Sequence, residues 1–251
     1  MKRLILKYLP LGTLLFAIPA AVFFAVAFLH DYEEALSNYF VRGSAMPVLA
    51  LVFAGLSFAV GIVASCIRSG SAVPEAPIWS FAPILVASVV GAILCFPVKT
   101  AGGLFLLLGA VYPLLMILPF GRKKVDLTAI AGFLSIAAMV YLVAFYYFDA
   151  TLEMNAPLKI SVQMGLLCAM LYFTAELRSL LGRTISRLYL LLTSLAIAIG
   201  ALSAIPVVLA FLAGKTSYRA YAAGAVLTLG IFLTACIRLT GLALAKGEET
   251  T

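Results

Sequence analysis

Eight apolar runs follow one another along the chain, at Leu11 to Leu29, Ala45 to Ile67, Ile78 to Phe96, Ala101 to Phe120, Leu127 to Phe148, Ile160 to Ala175, Leu188 to Leu212 and Ala220 to Ile237. A helix that crosses the hydrocarbon core of a bilayer needs about 20 mostly apolar residues, and these runs supply that length with short polar connections between them. None alternates with period two, as the strands of a membrane barrel do. The pattern predicts an all-α polytopic transmembrane helix bundle of about eight spans, a single integral membrane domain over residues 1–251 with no soluble domain. The sixth run is short. It is expected to complete its crossing by letting Lys159 at one end, and Glu176 with Arg178 at the other, reach out to the head groups; if it fails to cross, the count is seven.

Composition agrees. The 251 residues are 65% hydrophobic and 11% charged, against roughly 25% charged in ordinary soluble domains. Within the bounds given, the runs carry no Asp, Glu, Lys or Arg, the sixth only by stopping short. A charge at the bilayer centre costs about 2.5 to 3.5 kcal/mol on insertion scales and usually marks an ion or proton site. Its absence argues against a proton- or sodium-driven machine built on membrane carboxylates.

The connections carry helix punctuation. Ser44 with Pro47, and Asp126, sit where caps and early prolines belong, and Pro74-Glu75-Ala76-Pro77 marks a turn. Pro19, Pro83, Pro113 and Pro206 fall inside runs and are expected to kink them. Of the 17 Lys and Arg, twelve fall on one side of the membrane (Lys2, Arg3, Lys7, Arg68, Arg122, Lys123, Lys124, Arg178, Arg183, Arg187, Arg238 and Lys246) and five on the other (Arg42, Lys99, Lys159, Lys215 and Arg219). The positive-inside rule puts the first set, and both termini, in the cytoplasm of a cell whose plasma membrane the chain spans. The first run, after Met1-Lys2-Arg3, continues past the small-residue site Ala25-Val26-Ala27 and reads as a span, not a cleaved leader. Three even-numbered runs end alike, at Cys66-Ile67-Arg68, Glu176-Leu177-Arg178 and Cys236-Ile237-Arg238; topogenic arginines account for this without a duplication.

Chemistry is expected outside the hydrocarbon. Tyr32, Ala35, Leu36, Tyr39 and Phe40 recur at helical spacing, which predicts a surface amphipathic helix from Asp31 to Arg42. With the next loop on the same side it suggests an acidic, aromatic mouth for a ligand or cation, made by Asp31, Glu33, Glu34, Tyr147, Asp149 and Glu153; the competing reading is an ordinary interfacial aromatic belt. His30 stands beside it. Gln163, the only amide within the spans, is a candidate intramembrane polar site, or else a bond between neighbouring helices. Arg122, Lys123, Lys124, Arg178, Arg183 and Arg187 form a cytoplasmic basic cluster that topogenesis also explains. Small residues at Ala196, Gly200 and Ala204, and at Ser57, Gly61 and Ser65, are spaced for close helix packing, internal or between subunits. Cys66, Cys95, Cys168 and Cys236 show no disulfide or metal spacing and read as packing residues.

No Walker motif and no H-E-x-x-H occurs, and the single histidine lies at a membrane edge, so no enzyme, cofactor or metal is expected. The scattered basic residues suit anionic lipid better than nucleic acid. The expected partners are the lipid bilayer and, optionally, a membrane or cytoplasmic protein or a second copy of the chain. The chain reads as a membrane-embedded component of a transport or small-molecule-binding system, or alternatively as a non-catalytic scaffold, sensor or partner-binding subunit. For the subunit reading, the small-residue stripes should face outward.

Overall fold

The computed structural model describes residues 8–33, 39–67, 73, 77–118, 124–182 and 185–245. Among them are eight helical segments long and apolar enough to cross a membrane: Leu9–Asp31, Met46–Ile67, Ile78–Cys95, Thr100–Ile117, Val125–Phe148, Pro157–Leu180, Ser186–Leu212 and Arg219–Ala243. All eight expected spans are there. The sixth is a full 24-residue helix rather than a shortened one. Snorkelling does not complete it: Lys159 and Glu176 turn inward, at 1% and 4% exposure, and only Arg178 faces out. Lys159 needs no water because its ammonium donates to the Asp149 and Leu152 carbonyls, at 2.7 and 3.2 Å.

The helices are α1 Gly12–Val26, α2 Met46–Ile67, α3 Ala82–Cys95, α4 Thr100–Ile117, α5 Val125–Phe148, α6 Pro157–Leu180, α7 Ser186–Ser203, α8 Ile205–Leu212 and α9 Arg219–Ala245. Pro19 and Pro113 lie inside α1 and α4 as expected. Pro83 stands at the start of α3, where a missing N–H costs nothing, and Pro206 falls inside the seventh span, where the regular helix is interrupted at Ala204 while the backbone stays helical, with the Ala204 N–H on the Gly200 carbonyl and the Val208 N–H on the Ala204 carbonyl. The amphipathic helix expected from Asp31 to Arg42 does not form. After a π-turn at Ala27–Asp31 the chain makes a short antiparallel pair, β1 Tyr32–Glu33 with β2 Tyr39–Phe40, in which Tyr32 faces Phe40. Cross-strand partners share a face. Strand register thus gathers Tyr32 and Phe40 against Phe28, with ring centroids 5.0 to 6.0 Å apart, where helical spacing was expected to.

Helix α9 packs on α3, α6 and α7, and the further contacts α3 with α4, α4 with α5, and α5 with α6 close a ring of five helices: α3, α4, α5, α6 and α9. A cavity of about 10 Å³, the space of about one water, lies where all five meet, between Ser88, Gly109, Ser135, Phe173 and Leu227. Helices α1 and α2 pack on α7, outside this ring. Both small-residue stripes are used up inside the chain: Ser57, Gly61 and Ser65, like Ala196, Gly200 and Ala204, are buried. A Cβ on Gly61 would come within 2.3 Å of the Ser194 Cβ, and one on Gly200 within 3.0 Å of the Phe232 Cβ. The outer faces carry bare aliphatic and aromatic side chains such as Leu15, Ile18, Leu51, Val86, Ile93 and Phe133, each at least 60% exposed. Lipid is the solvent that accepts such a surface.

The interior is not charge-free. At the end of the bundle away from the β pair, Glu176 of α6 faces Arg238 of α9, Nε to Oε1 at 3.0 Å, both about 4% exposed. The same carboxylate oxygen accepts from the Tyr172 hydroxyl at 2.7 Å and from the Tyr189 hydroxyl of α7, which itself accepts from Arg238 at 2.8 Å. Arg238 also lies 5.4 Å from the Tyr189 ring centroid. The expectation that Arg238 merely flanks its span is corrected, because α9 continues to Ala245 and carries the guanidinium inward. The likeness among the span ends is likewise one of sequence only: Arg178 is exposed where Arg238 is buried.

Close approach between α3 and α9 depends above all on Gly230, with Gly91 facing the Ala223 carbonyl. A Cβ on Gly230 would meet the Ala87 Cβ at 2.4 Å and the Pro83 carbonyl at 2.6 Å, and backbone cannot swing aside. Gly230→Ala is expected to lower unfolding stability in detergent by about 1 to 3 kcal/mol. Gly55→Ala, with nothing within 4 Å, should leave it unchanged or slightly raised.

Candidate functional site

Above the ring, at the end carrying the β pair, a cleft of about 510 Å³ opens between the last turn of α5, the loop after it and the starts of α4 and α9. That volume lies within the roughly 300 to 1,000 Å³ typical of ligand pockets. Its walls are Val98 and Lys99 ahead of α4, Phe145 and Phe148 of α5, Asp149 and Thr151 of the loop, Tyr218 just ahead of α9, and Arg219 and Tyr221 of α9.

Local chemistry fixes the loop, α5 and α9 walls. The Asp149 carboxylate accepts the Thr151 N–H at 3.0 Å and hydroxyl at 2.8 Å, a turn that Asp makes readily, and the Tyr221 hydroxyl at 2.9 Å ties that turn to α9. From below, the buried Lys159 ammonium grips two carbonyls of the same loop. Tyr146 donates to the Ala220 carbonyl at 2.6 Å and stacks on Tyr221 at 4.8 Å; Gly224 makes room, since a Cβ there would lie 2.6 Å from the Tyr146 hydroxyl. Lys99 is exposed, with its ammonium 5.8 Å from the Phe145 ring centroid, and Arg219 is exposed at the first turn of α9. Burial acts to raise the Asp149 pKa, but the two Thr151 bonds, the Tyr221 bond and the nearby Lys159 charge outweigh it and hold the carboxyl below its ordinary value.

The candidate residues read from the sequence are dispersed. Of Asp31, Glu33, Glu34, Tyr147, Asp149 and Glu153, only Asp149 lines the cleft. Asp31 accepts a 2.5 Å hydrogen bond from Ser44. Glu153 and Asn155 both lie within reach of the Tyr39 hydroxyl, at 2.7 and 2.5 Å, tying the β pair to the α5–α6 loop; the bond to Glu153 holds the Tyr39 phenol above its usual pKa. Glu33 is exposed on β1. Tyr147 is exposed with its ring edge-on to Phe148. Glu34 lies outside the described residues, as do Arg122, Lys123 and Arg183 of the basic cluster, while Lys124, Arg178 and Arg187 are exposed. Gln163 is half-buried on α6 and lines neither the cleft nor the ring cavity.

Lys99, Tyr218, Arg219 and Tyr221 were not candidates from sequence. The two cations served there only to orient the chain, and nothing in their spacing brings residues 120 positions apart into one wall. Among the described residues no group of three or more His, Cys, Asp or Glu could hold a metal. No protein-family model, curated protein or solved structure matches the chain.

A carboxyl held below its unfolded pKa adds stability that is complete above that unfolded value, about 4, and is lost as pH falls through the lowered one. Asp149→Asn is therefore expected to unfold at lower temperature than wild type at pH 7. The gap should close as the pH falls below the ordinary carboxylate range and wild-type Asp149 protonates. A gap that stays constant across that range would show that ionisation of Asp149 is irrelevant.

Proposed function

We propose that this multi-pass membrane protein is a membrane-embedded component of a transport or small-molecule-binding system, with the cleft over the five-helix ring as its ligand site. The observation that carries this reading is the placement of a 510 Å³ cleft, walled by the starts of α4 and α9, the end of α5 and the loop after it, at the mouth of the ring. The ring axis has polar character. Ser88 Oγ, which borders the central cavity, and the hydroxyl of Tyr112, whose ring centroid lies 5.4 Å from that of Phe173, are buried without a hydrogen-bond partner among the described residues. By the positive-inside rule the cleft faces outward from the cytoplasm of a cell whose plasma membrane holds the chain.

Facilitated binding or passage suits this architecture better than proton or sodium coupling. Among the described residues the one buried carboxylate, Glu176 at the other end of the bundle, is occupied by a guanidinium and two phenols and is thereby committed to structure, not left for a coupling ion. The scaffold or subunit reading loses its sequence support, because both small-residue stripes are already buried within one chain.

Ala150 is exposed on the cleft wall, so Ala150→Trp should fill the cleft without loading the core. In a thermal-shift screen of purified protein against carboxylates, phosphates, amines and sugars, at least one class is expected to stabilise the wild type. A ligand at 100 times its Kd adds about 2.7 kcal/mol. Ala150→Trp should abolish that gain while keeping the unliganded melting temperature. A gain that persists in the variant would place the ligand elsewhere.

A further inference from the structure

The cleft's charge is opposite to that of the acidic mouth expected from sequence. Lys99 and Arg219 both line it, both are exposed, and among the described residues neither is paired with a carboxylate. The one acid on the wall, Asp149, has its oxygens taken by the Thr151 amide, the Thr151 hydroxyl and the Tyr221 hydroxyl, and the buried Lys159 charge sits behind it. Formal charge on and directly behind the wall is thus three cations against one anion. Backbone adds to this. Helices α4 and α9 both begin at the cleft, Lys99 being the N-cap of α4 with no side-chain cap bond and Arg219 the first residue of α9. The unsatisfied N–H groups of a helix start, and the positive end of its dipole, favour anions. The remaining wall is apolar or aromatic: Val98, Phe145, Phe148 and Tyr218, with Phe148 81% exposed on the outer face of α5.

We infer that the cleft binds an amphiphilic anion, its carboxylate or phosphate head between Lys99 and Arg219 and its apolar part along Phe145 and Phe148. The inference rests on the cleft being the ligand site and names what it takes. Arg219 supplies a planar fork suited to two oxygens of such a head, and Lys99 supplies a point charge. An ammonium ligand is disfavoured, because it would have to displace Thr151 or Tyr221 from Asp149 while facing two like charges. The same head chemistry is offered by an anionic phospholipid at the membrane boundary and by a soluble aryl carboxylate, and the two sources give different results in one experiment.

Purified full-length protein is titrated with dioleoyl phosphatidylglycerol and dioleoyl phosphatidylcholine under native mass spectrometry, and with benzoate and benzylammonium by calorimetry. The expected result is binding of phosphatidylglycerol over phosphatidylcholine, or of benzoate over benzylammonium. The first outcome makes the ligand a lipid and the second a solute. Lys99→Gln and Arg219→Gln should each weaken that binding about tenfold or more, and Lys99→Arg should restore it. Both positions are exposed, so the variants should elute and melt as wild type does. Equal binding of the two lipids with no binding of benzoate overturns the inference. Binding of benzylammonium that Asp149→Asn removes also overturns it, yet leaves the cleft as the ligand site. Anion binding that Ala150→Trp and both glutamine variants leave untouched removes the cleft reading as well.

Discussion

A carboxylate and a guanidinium taken out of water each carry a desolvation penalty of several kcal/mol, and only mutual contact with further hydrogen bonds offsets it. Glu176 and Arg238 meet those conditions together and fail them apart. Tyr172 and Tyr189 complete the set, so α6, α7 and α9 converge on a single oxygen atom of one side chain. Between apolar helices in lipid, association rests on packing and on such polar contacts, since burial against neighbours gains little over burial in acyl chains. This cluster gives the three helices one register. Because α6 and α9 are two of the five ring helices, that register also sets where the ring closes.

The opposite end of the bundle is held by the same logic applied to backbone. Lys159 is buried one turn into α6 and spends its charge on loop carbonyls, while Tyr221 and Tyr146 fasten α9 to the end of α5. The cleft lies between these anchored pieces. Its cations are exposed and, among the described residues, unpaired with acid, in contrast to the buried charges that hold the walls. Charges committed to structure and charges left for a ligand are thus separated by depth. Lys159, Glu176 and Arg238 are inside, and Lys99 and Arg219 face the cleft.

Hydropathy made the spans legible, because a continuous apolar run of crossing length has few alternative structures. It failed where one residue decides between outside and inside. Arg238 and Lys159 look like flanking charges in one dimension, and only the partner opposite each, Glu176 and a pair of loop carbonyls, shows them to be interior. The segment after Asp31 misled for a related reason: its aromatics fit helical spacing, but Tyr32 and Phe40 satisfy the same burial by facing each other across a strand pair. The cleft was mostly invisible. Asp149 was a candidate through its acidity, whereas Lys99 and Arg219 come together only because α4 and α9 start at one place, a fact of topology that no local pattern encodes.

If the Glu176–Arg238 contact is what sets the register of the ring, its energy must be cooperative. The most direct test is a double-mutant cycle on Glu176→Leu and Arg238→Leu, with unfolding measured reversibly in detergent or bicelles. Each single variant, which strands one buried charge, is expected to lose about 3 to 5 kcal/mol, and the double variant far less than the sum. Single losses under about 1 kcal/mol that simply add would contradict the account, and would mean that the bundle is held by packing alone.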